Sequence, residues 1–309
     1  MEYNAPKIVA IVPAYNEEDT IAKIILQTKR YVDAVIVCDD GSTDMTFKIA
    51  EALGVKVVRH DENRGKGEAM KSLFGEIMAL DPDIIVALDG DGQHNPDEIP
   101  MLVKPIEKGA SDVVVGSRYI GGAKPSAPLY RRLGSRLINF LYRRAGVSTK
   151  DTQSGFRAYS QKAFQYLIHC DADGYGIEGE QLFLAARNGL RVMEVPVNIR
   201  YDGLRQTSKK TPLSHGLDLV LTLLRLVVEE KPLKYLGLPG ICVAFVGMIL
   251  WLYLLWMFNL TQHFNIPVTI LTVGLSIIGV FLVVSGIILQ GFKRIDEKLE
   301  RSSEKGASD

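Results

Sequence analysis

Ile84-Ile85-Val86-Ala87-Leu88-Asp89-Gly90-Asp91-Gly92-Gln93-His94 is the stretch whose reading decides the fold. An apolar, β-branched run that ends in two carboxylates reads as a buried parallel strand delivering them at its C-terminal edge, where open α/β sheets bind ligands. If the extended conformation persists past Leu88, Asp89, Asp91 and Gln93 share one face and offer hard oxygen donors to one cation. Gly90 and Gly92 leave room beside them for a bulky ligand. Taken alone, the same residues fit an Asp/Gly-rich turn that caps the next helix.

The units on either side repeat the pattern. Lys7–Pro13 is a short apolar strand, followed by Asn16-Glu17-Glu18-Asp19 and a helical face of Ile21, Ile24 and Ile25. Tyr15, at the strand's end, is placed to lie against a flat base. Ala34–Cys38 runs into Asp39-Asp40-Gly41-Ser42-Thr43-Asp44, where Ser42 or Thr43 can cap a helix and Asp40 can accept hydrogen bonds from a ribose or a base. Val55–His60 gives a third strand, and Asn63-Arg64-Gly65-Lys66-Gly67 a glycine-rich turn. That turn lacks the spacing of a P-loop. Lys66 in it can face a nucleotide phosphate or simply water. Asp112–Ser117 gives a further strand ahead of Arg118. Strands alternating with helices over the first 115 residues or so imply a mostly parallel, doubly wound α/β sheet of nucleotide-binding type.

Composition bounds the rest. Lys plus Arg and Asp plus Glu number 36 each in 309 residues, so net charge gives no ground for nucleic-acid binding. Cys38, Cys170 and Cys242 are widely spaced and odd in number, which suits packing rather than disulfides or zinc. From Tyr235 to Phe292 no Asp, Glu, Lys or Arg occurs. This block predicts two membrane spans, Leu236–Leu260 and Ile266–Gln290, each longer than the roughly 20 residues a crossing needs. Lys231 and Lys234 before them and Lys293 and Arg294 after them predict both ends on the cytoplasmic face. The polar start, Met1–Lys7, shows no cleavable leader, so the first domain is expected in the cytoplasm. Leu213–Glu230 reads as an amphipathic interfacial helix. The expected organisation is a catalytic domain over 1–210, the interfacial helix over 211–233, two transmembrane helices over 234–292 and a charged tail over 293–309.

Cationic residues point to phosphate. Arg118 stands at a strand's end and Arg131 opens a helix beside a Gly/Pro loop, Gly121–Pro128; guanidinium forks suit phosphate oxygens there. Arg200, Arg205, Ser208 and Lys209 lie between the strand Arg191–Ile199 and the membrane region, where an acceptor phosphate would arrive. Glu178 and Glu180 precede a helix; either could serve as a base toward a hydroxyl acceptor, but an already ionised phosphate needs none.

Taken in order, Val12-Pro13-Ala14-Tyr15-Asn16-Glu17, Asp39–Asp44, Asp89–His94 and Gly116-Ser117-Arg118 resemble the signatures of family 2 glycosyltransferases with the GT-A fold. Asp151-Thr152-Gln153-Ser154-Gly155-Phe156-Arg157, Glu194-Val195-Pro196-Val197 and Thr207-Ser208-Lys209 resemble the dolichyl-phosphate mannose synthase and polyprenyl-phosphate hexosyltransferase branch. The resemblance covers about residues 7–230. It implies nucleotide binding by Pro13, Tyr15, Glu17, Asp40, Lys66 and Asp89, and a catalytic set of Asp89, Asp91, Arg118 and Arg131. It implies Mg²⁺ or Mn²⁺ at Asp91 and Gln93 with Asp89, and an acceptor phosphate at Arg118, Arg131, Arg200, Arg205, Ser208 and Lys209. The implied reaction is inverting hexose transfer from a nucleotide sugar, GDP-mannose first and UDP-glucose or UDP-N-acetylglucosamine as alternatives, to dolichyl or polyprenyl phosphate. The spacing from Arg200 to Lys209 departs from the family's pattern, which leaves open which arginine meets the phosphate. The alternatives are a lipid or sugar hydroxyl acceptor and a non-catalytic membrane scaffold.

Overall fold

Seven short strands rich in Val, Ile and Ala line up in the order β3-β2-β1-β4-β6-β5-β7. This computed structural model describes residues 6–120, 142–143, 147, 149–168, 170, 176–198, 228, 231–263 and 265–306. The strands are β1 (Ile8–Ala14), β2 (Ala34–Asp39), β3 (Lys56–Arg59), β4 (Ile84–Ala87), β5 (Val113–Ser117), β6 (Arg157–Ser160) and β7 (Val192–Pro196). β1 pairs in parallel with β2 and β4, β2 with β3, and β5 with β7. β6 runs antiparallel between β4 and β5. The motif Ser154-Gly155-Phe156-Arg157 therefore enters the middle of the sheet, which the sequence reading did not anticipate because its apolar run is only a few residues long.

The helices among the described residues of this unit are α1 (Ile21–Thr28), α2 (Thr46–Ala52), α3 (Lys66–Met78), α4 (Ile99–Glu107), α5 (Gln161–Leu167) and α6 (Ile177–Arg187). α1 and α4 turn Ile21, Ile24, Ile25, Ile99, Leu102, Val103 and Ile106 onto the sheet, where they pack with Ala10, Val12, Val35, Val37, Ile84, Val86 and Val114. β1, β2, β4 and β5 are buried almost throughout, as strands covered on both faces must be. Burial of this kind stabilises by roughly 25 cal/mol per Å² of apolar surface. A shared direction brings the ends of β1, β2, β4 and β5 toward one edge, and the predicted donor-site residues lie at the end of one of these strands, in the loop after it, or at the start of α3.

The chain divides into two units, Met1–Leu223 and Leu224–Asp309. The second holds α7 (Leu238–Thr261), preceded by a π-helical turn at Leu233–Gly237, and α8 (Ile266–Gly306). Two apolar helical stretches, Leu233–Thr261 and Ile266–Ile295, have 29 and 30 residues. At 1.5 Å per residue each is long enough to cross a hydrocarbon core of about 30 Å. Small residues make their seam. A Cβ on Gly240 would stand 2.8 Å from Val283 N, and one on Gly247 2.6 Å from Ser276 Oγ. Such close backbone approach is what holds helices together where apolar burial against lipid gives no preference. Large residues turn outward instead: Leu252, Trp256, Ile270 and Phe281 are all exposed. The interfacial helix expected over 211–233 lies almost wholly outside the described residues.

Candidate active site

The loop after β4 does not continue the strand. β4 ends at Ala87, Gly92 adopts φ 73°, and Asp91 Oδ1 accepts the Gln93 amide at 2.9 Å. Asp89, Asp91 and Gln93 are thus presented by a turn rather than along one face of an extended strand. The physical reason is the left-handed backbone at Gly92, which glycine adopts without steric cost. Gly90 passes close under β1: its amide donates to Pro13 O at 3.2 Å, and a Cβ would stand 3.2 Å from that of Ala14. Thr20 Oγ1 donates to Gly90 O at 2.7 Å, so the carboxylate loop is tied to the start of α1.

The β1 and β2 loops lock each other. Asn16, at φ 56°, accepts the Thr43 amide on Oδ1 at 2.8 Å while its own amide donates to Ser42 Oγ at 2.9 Å. The Glu17 amide donates to Thr46 Oγ1 at 2.7 Å, and Glu18 Oε2 accepts the Met45 amide at 3.0 Å. Ser42 and Thr43 are therefore not the cap of α2; Asp44 Oδ1 accepts the Thr46 amide instead, at 2.9 Å. Pro13 is the last residue but one of β1, and Tyr15, half-buried, follows the strand.

Asp39 and Asp40 have different tasks. Asp40 Oδ1 accepts from His60 Nδ1 at 2.7 Å and from the Arg64 amide at 2.9 Å, and Oδ2 accepts the Gly65 amide at 2.8 Å. Both oxygens expected to meet a nucleotide are occupied by the chain itself. Asp39, which the sequence reading passed over, is fully buried, and neither of its oxygens accepts a hydrogen bond among the described residues. Only the Arg59 guanidinium approaches, its Nε 3.3 Å from Oδ2 and its plane over the Phe47 ring at 4.3 Å. A buried carboxylate without donors carries a cost of about 1–3 kcal/mol or more that a ligand's N–H groups would relieve. Alternation along β2 could have flagged it, since Asp39 continues the Val35 and Val37 face.

Lys66 is neither solvated nor free. Its Nζ lies 2.6 Å from Asp89 Oδ1 and 2.6 Å from Glu178 Oε1. Burial pulls its pKa down, but Asp89 and then Glu178 outweigh it and hold the ammonium above its ordinary range. Burial likewise opposes ionisation of Asp89, and Lys66 with His94 overcomes it, leaving that carboxyl below its ordinary value. Asp91 makes no ion pair among the described residues: burial, then the neighbouring Asp89, outweighs Lys66 and pushes it up to about 6. His94, buried and stacked 5.1 Å from Phe156, is pushed down to about 4, mainly by burial. Glu178, set outside the firm catalytic set on sequence grounds, stands inside this cluster. Gly155 is the close neighbour, since a Cβ there would meet Asp89 Oδ2 at 2.7 Å and Lys66 Nζ at 2.8 Å.

Directly after β5, Arg118 forks onto Asp151, with Nε to Oδ2 at 2.7 Å and Nη2 to Oδ1 at 2.6 Å. Two donors of the arginine expected to await a phosphate are thus already matched to a carboxylate. Glu194 accepts the Lys150 and Asp151 amides at 2.9 and 3.0 Å and fixes that partner. Arg157 is fully buried and donates to Ser154 O, Thr152 O, Glu178 O and Gln181 Oε1, holding the 152–154 loop against α6. Pro13, Lys66, Asp89, Arg157, Glu178 and Gln181 line a small cavity at the junction. Glu98 accepts from the Asn198 amide and side chain, at 3.1 and 2.9 Å to Oε1, anchoring the chain two residues before Arg200. Arg131, Arg200, Arg205, Ser208 and Lys209 lie outside the described residues.

Oxygen donors from Asp89, Asp91 and Gln93 suit Mg²⁺ or Mn²⁺ better than zinc, and the raised pKa of Asp91 marks a carboxylate short of positive charge. No group of three or more His, Cys, Asp or Glu side chains able to hold a metal occurs among the described residues. The two carboxylates and one side-chain amide of this loop are the hard donors such a cation takes.

Comparison with known proteins agrees with this geometry. The family model described as Glycosyl transferase family 2 matches residues 9–168. The chain is 34% identical over 216 residues to the UDP-N-acetylglucosamine–dolichyl-phosphate N-acetylglucosaminyltransferase of Methanococcus voltae, covering 63% of this chain and 86% of the relative. It is 30% identical over 264 residues to the dolichol-phosphate mannosyltransferase of Pyrococcus furiosus, covering 80% and 72%. Among solved structures, glucosyl-3-phosphoglycerate synthase from Mycobacterium tuberculosis in complex with Mn²⁺, UDP-glucose and phosphoglyceric acid superposes with a TM-score of 0.53 at 27% identity, over 72% of this chain and 80% of that one. With its motifs, parallel sheet and carboxylate loop in that family's order, the chain belongs to glycosyl transferase family 2 and is a glycosyltransferase.

Proposed function

We propose that this glycosyltransferase moves a hexose, with inversion, from a nucleotide sugar to the phosphate of a dolichyl or polyprenyl lipid, with a divalent cation on the donor diphosphate. The single observation that carries the reading is the combination in one chain of the Asp89-Asp91-Gln93 loop with two helices of membrane-crossing length. Names of relatives support the acceptor class.

In this reading an acceptor phosphate oxygen attacks the anomeric carbon from the face opposite the diphosphate. The new C–O bond forms as the bond to the diphosphate breaks, and the nucleoside diphosphate leaves with the electron pair. Because the acceptor is ionised at neutral pH, no side chain has to remove a proton. A divalent cation, when bound, stabilises the charge that develops on the leaving diphosphate. Asp91 and Gln93 would hold it; Asp89, already beside Lys66, contributes charge and orientation. Asp39 takes the base N–H groups in place of Asp40, with Pro13, Tyr15 and Glu17 around the nucleoside. Arg118, Arg131, Arg200, Arg205, Ser208 and Lys209 receive the acceptor phosphate, Arg118 held in register by Asp151. Lys231, Lys234, Lys293 and Arg294 put both hairpin ends, and with them the catalytic unit, on the cytoplasmic face.

GDP-mannose is the first donor in this proposal, on the resemblance of the later motifs. The M. voltae relative favours a second reading, a UDP-sugar donor. Incubating the full chain in detergent with labelled GDP-mannose, UDP-glucose or UDP-N-acetylglucosamine and a short polyprenyl phosphate tests both. One donor giving a lipid-linked product of the matching mass is expected; no lipid-linked product from any donor overturns the acceptor assignment.

A further inference from the structure

We infer that His60 is a positioning residue for the donor site, acting through Asp40 on the turn that sets Lys66 against Asp89; the inference rests on the proposed donor-diphosphate site at the Asp89 loop and takes Lys66, paired with Asp89, as part of it. His60 touches none of the residues proposed to meet substrate, yet it is 7% exposed and fully engaged. Its Nδ1 is 2.7 Å from Asp40 Oδ1 and its Nε2 2.9 Å from Ser72 Oγ on α3. A carboxylate can only accept, so Nδ1 carries the proton, and Nε2 is free to accept the Ser72 hydroxyl. The imidazole therefore orients Asp40 from behind while gripping α3.

Asp40 passes that constraint forward. Its two oxygens hold the successive amides of Arg64 and Gly65, the two residues immediately before Lys66. Gly65 is at φ 95°, a conformation other residues rarely adopt, so the turn needs external fixing as well as glycine. Gly41 presses on the same turn: a Cβ there would overlap the backbone of Glu62 and Asn63. With the turn fixed, α3 begins at Lys66 and its Nζ reaches both Asp89 and Glu178 at 2.6 Å. Misplacement by an ångström at such a site costs far more than its distance from the chemistry suggests.

The test separates a relay from mere packing by substituting each ring nitrogen alone. In His60→Asn the amide nitrogen replaces Nδ1 and keeps the bond to Asp40; in His60→Gln the side chain reaches toward Ser72 and the Asp40 bond is lost. Binding of GDP and of UDP with Mn²⁺ to the full chain is measured by calorimetry beside donor and acceptor KM and the unfolding temperature, with Lys66→Met as reference. The expected result is a loss of about tenfold in affinity for the preferred nucleotide in His60→Gln, the size of one hydrogen bond to a charged group. His60→Asn should stay within about threefold of the parent chain, and acceptor KM should not move in either. His60→Gln binding like the parent, while Lys66→Met loses affinity, overturns the relay alone. Equal losses in His60→Asn and His60→Gln that track a fall in unfolding temperature also overturn it, as packing. Lys66→Met binding like the parent overturns the reading of Lys66 itself.

Discussion

Asn16 and Thr43 meet across 27 residues of sequence where the parallel half of the sheet forms its functional edge, whereas Glu98 and Asn198 meet across 100 where the chain leaves β7. The two halves are built by different means. In β3-β2-β1-β4 each strand hands its motif directly to the following loop, and neighbouring loops tie to one another. In β6-β5-β7 the edge is assembled from pieces far apart: Arg118 to Asp151 spans 33 residues and Asp151 to Glu194 spans 43. The first half presents Asp39, whose oxygens accept no hydrogen bond among the described residues, and Asp91, raised by burial and its neighbour Asp89; the second presents charges already matched inside the protein.

That contrast is broken most decisively at Asp91. Asp91→Ala removes the acid that burial and Asp89 hold at about 6, and with it the proposed cation site. Turnover should fall by about 10²–10³-fold, the usual cost of removing one preorganised electrostatic contact in a transition state. The unfolding temperature should rise or stay level, because a half-buried carboxylate beside the like charge of Asp89 is lost. Normal turnover at ordinary Mg²⁺ or Mn²⁺ levels would show that the parallel half does not hold the cation.

The opposite signature belongs to Arg157 in the other half. Arg157→Met keeps the volume of a fully buried side chain but leaves three carbonyls without their donor. A loss of about 3 kcal/mol of stability is expected from buried acceptors left unmade, read by denaturant unfolding of the catalytic unit's intrinsic signal in detergent. A loss under about 1 kcal/mol would mean that the 152–154 loop is held by something else.

These two sites also measure what a sequence can and cannot disclose. The fold of the parallel half was legible because strand period, β-branching and turn residues are local signals, and each of its motifs sits within one βα unit. What it could not separate was local too: of Asp39 and Asp40, the expectation chose Asp40 for the ligand, and the proposal above prefers Asp39. Asp39 ends β2 and Asp40 opens the loop after it, and only the structure shows that His60 and the 64–65 amides bond to Asp40. Antiparallel β6, the Lys66–Asp89–Glu178 cluster and the Asp151–Glu194 support were not legible, because they depend on pairings that no short window of sequence contains. Asp39→Asn sharpens the distinction. It should weaken nucleotide binding about tenfold with little change in stability, whereas Asp40→Asn should lower stability as well.

The smallest expected difference is in how the two halves open, and the buried thiols report it. Cys38 lies in β2, between β1 and β3, and burial, then Asp40 and Asp39, push its pKa up to about 12 from an ordinary 9.0. Because the folded value is raised, keeping the thiol protonated favours the folded state below about pH 9, and that contribution is lost as pH rises toward 12. At pH 9 a thiolate-directed reagent can therefore reach Cys38 only through opening of the parallel half. Cys170 is buried as well, but it follows α5 outside any strand, and its amide donates to Leu167 O over a long 3.4 Å. Local opening costs least where few backbone hydrogen bonds must break. In a Cys242→Ala background, peptide mass spectrometry should show Cys170 labelled before Cys38. Labelling of Cys38 first would reverse the ranking: the locally tied loops would then be the softer edge, and the long-range pairings around Arg157 would be what holds the sheet closed.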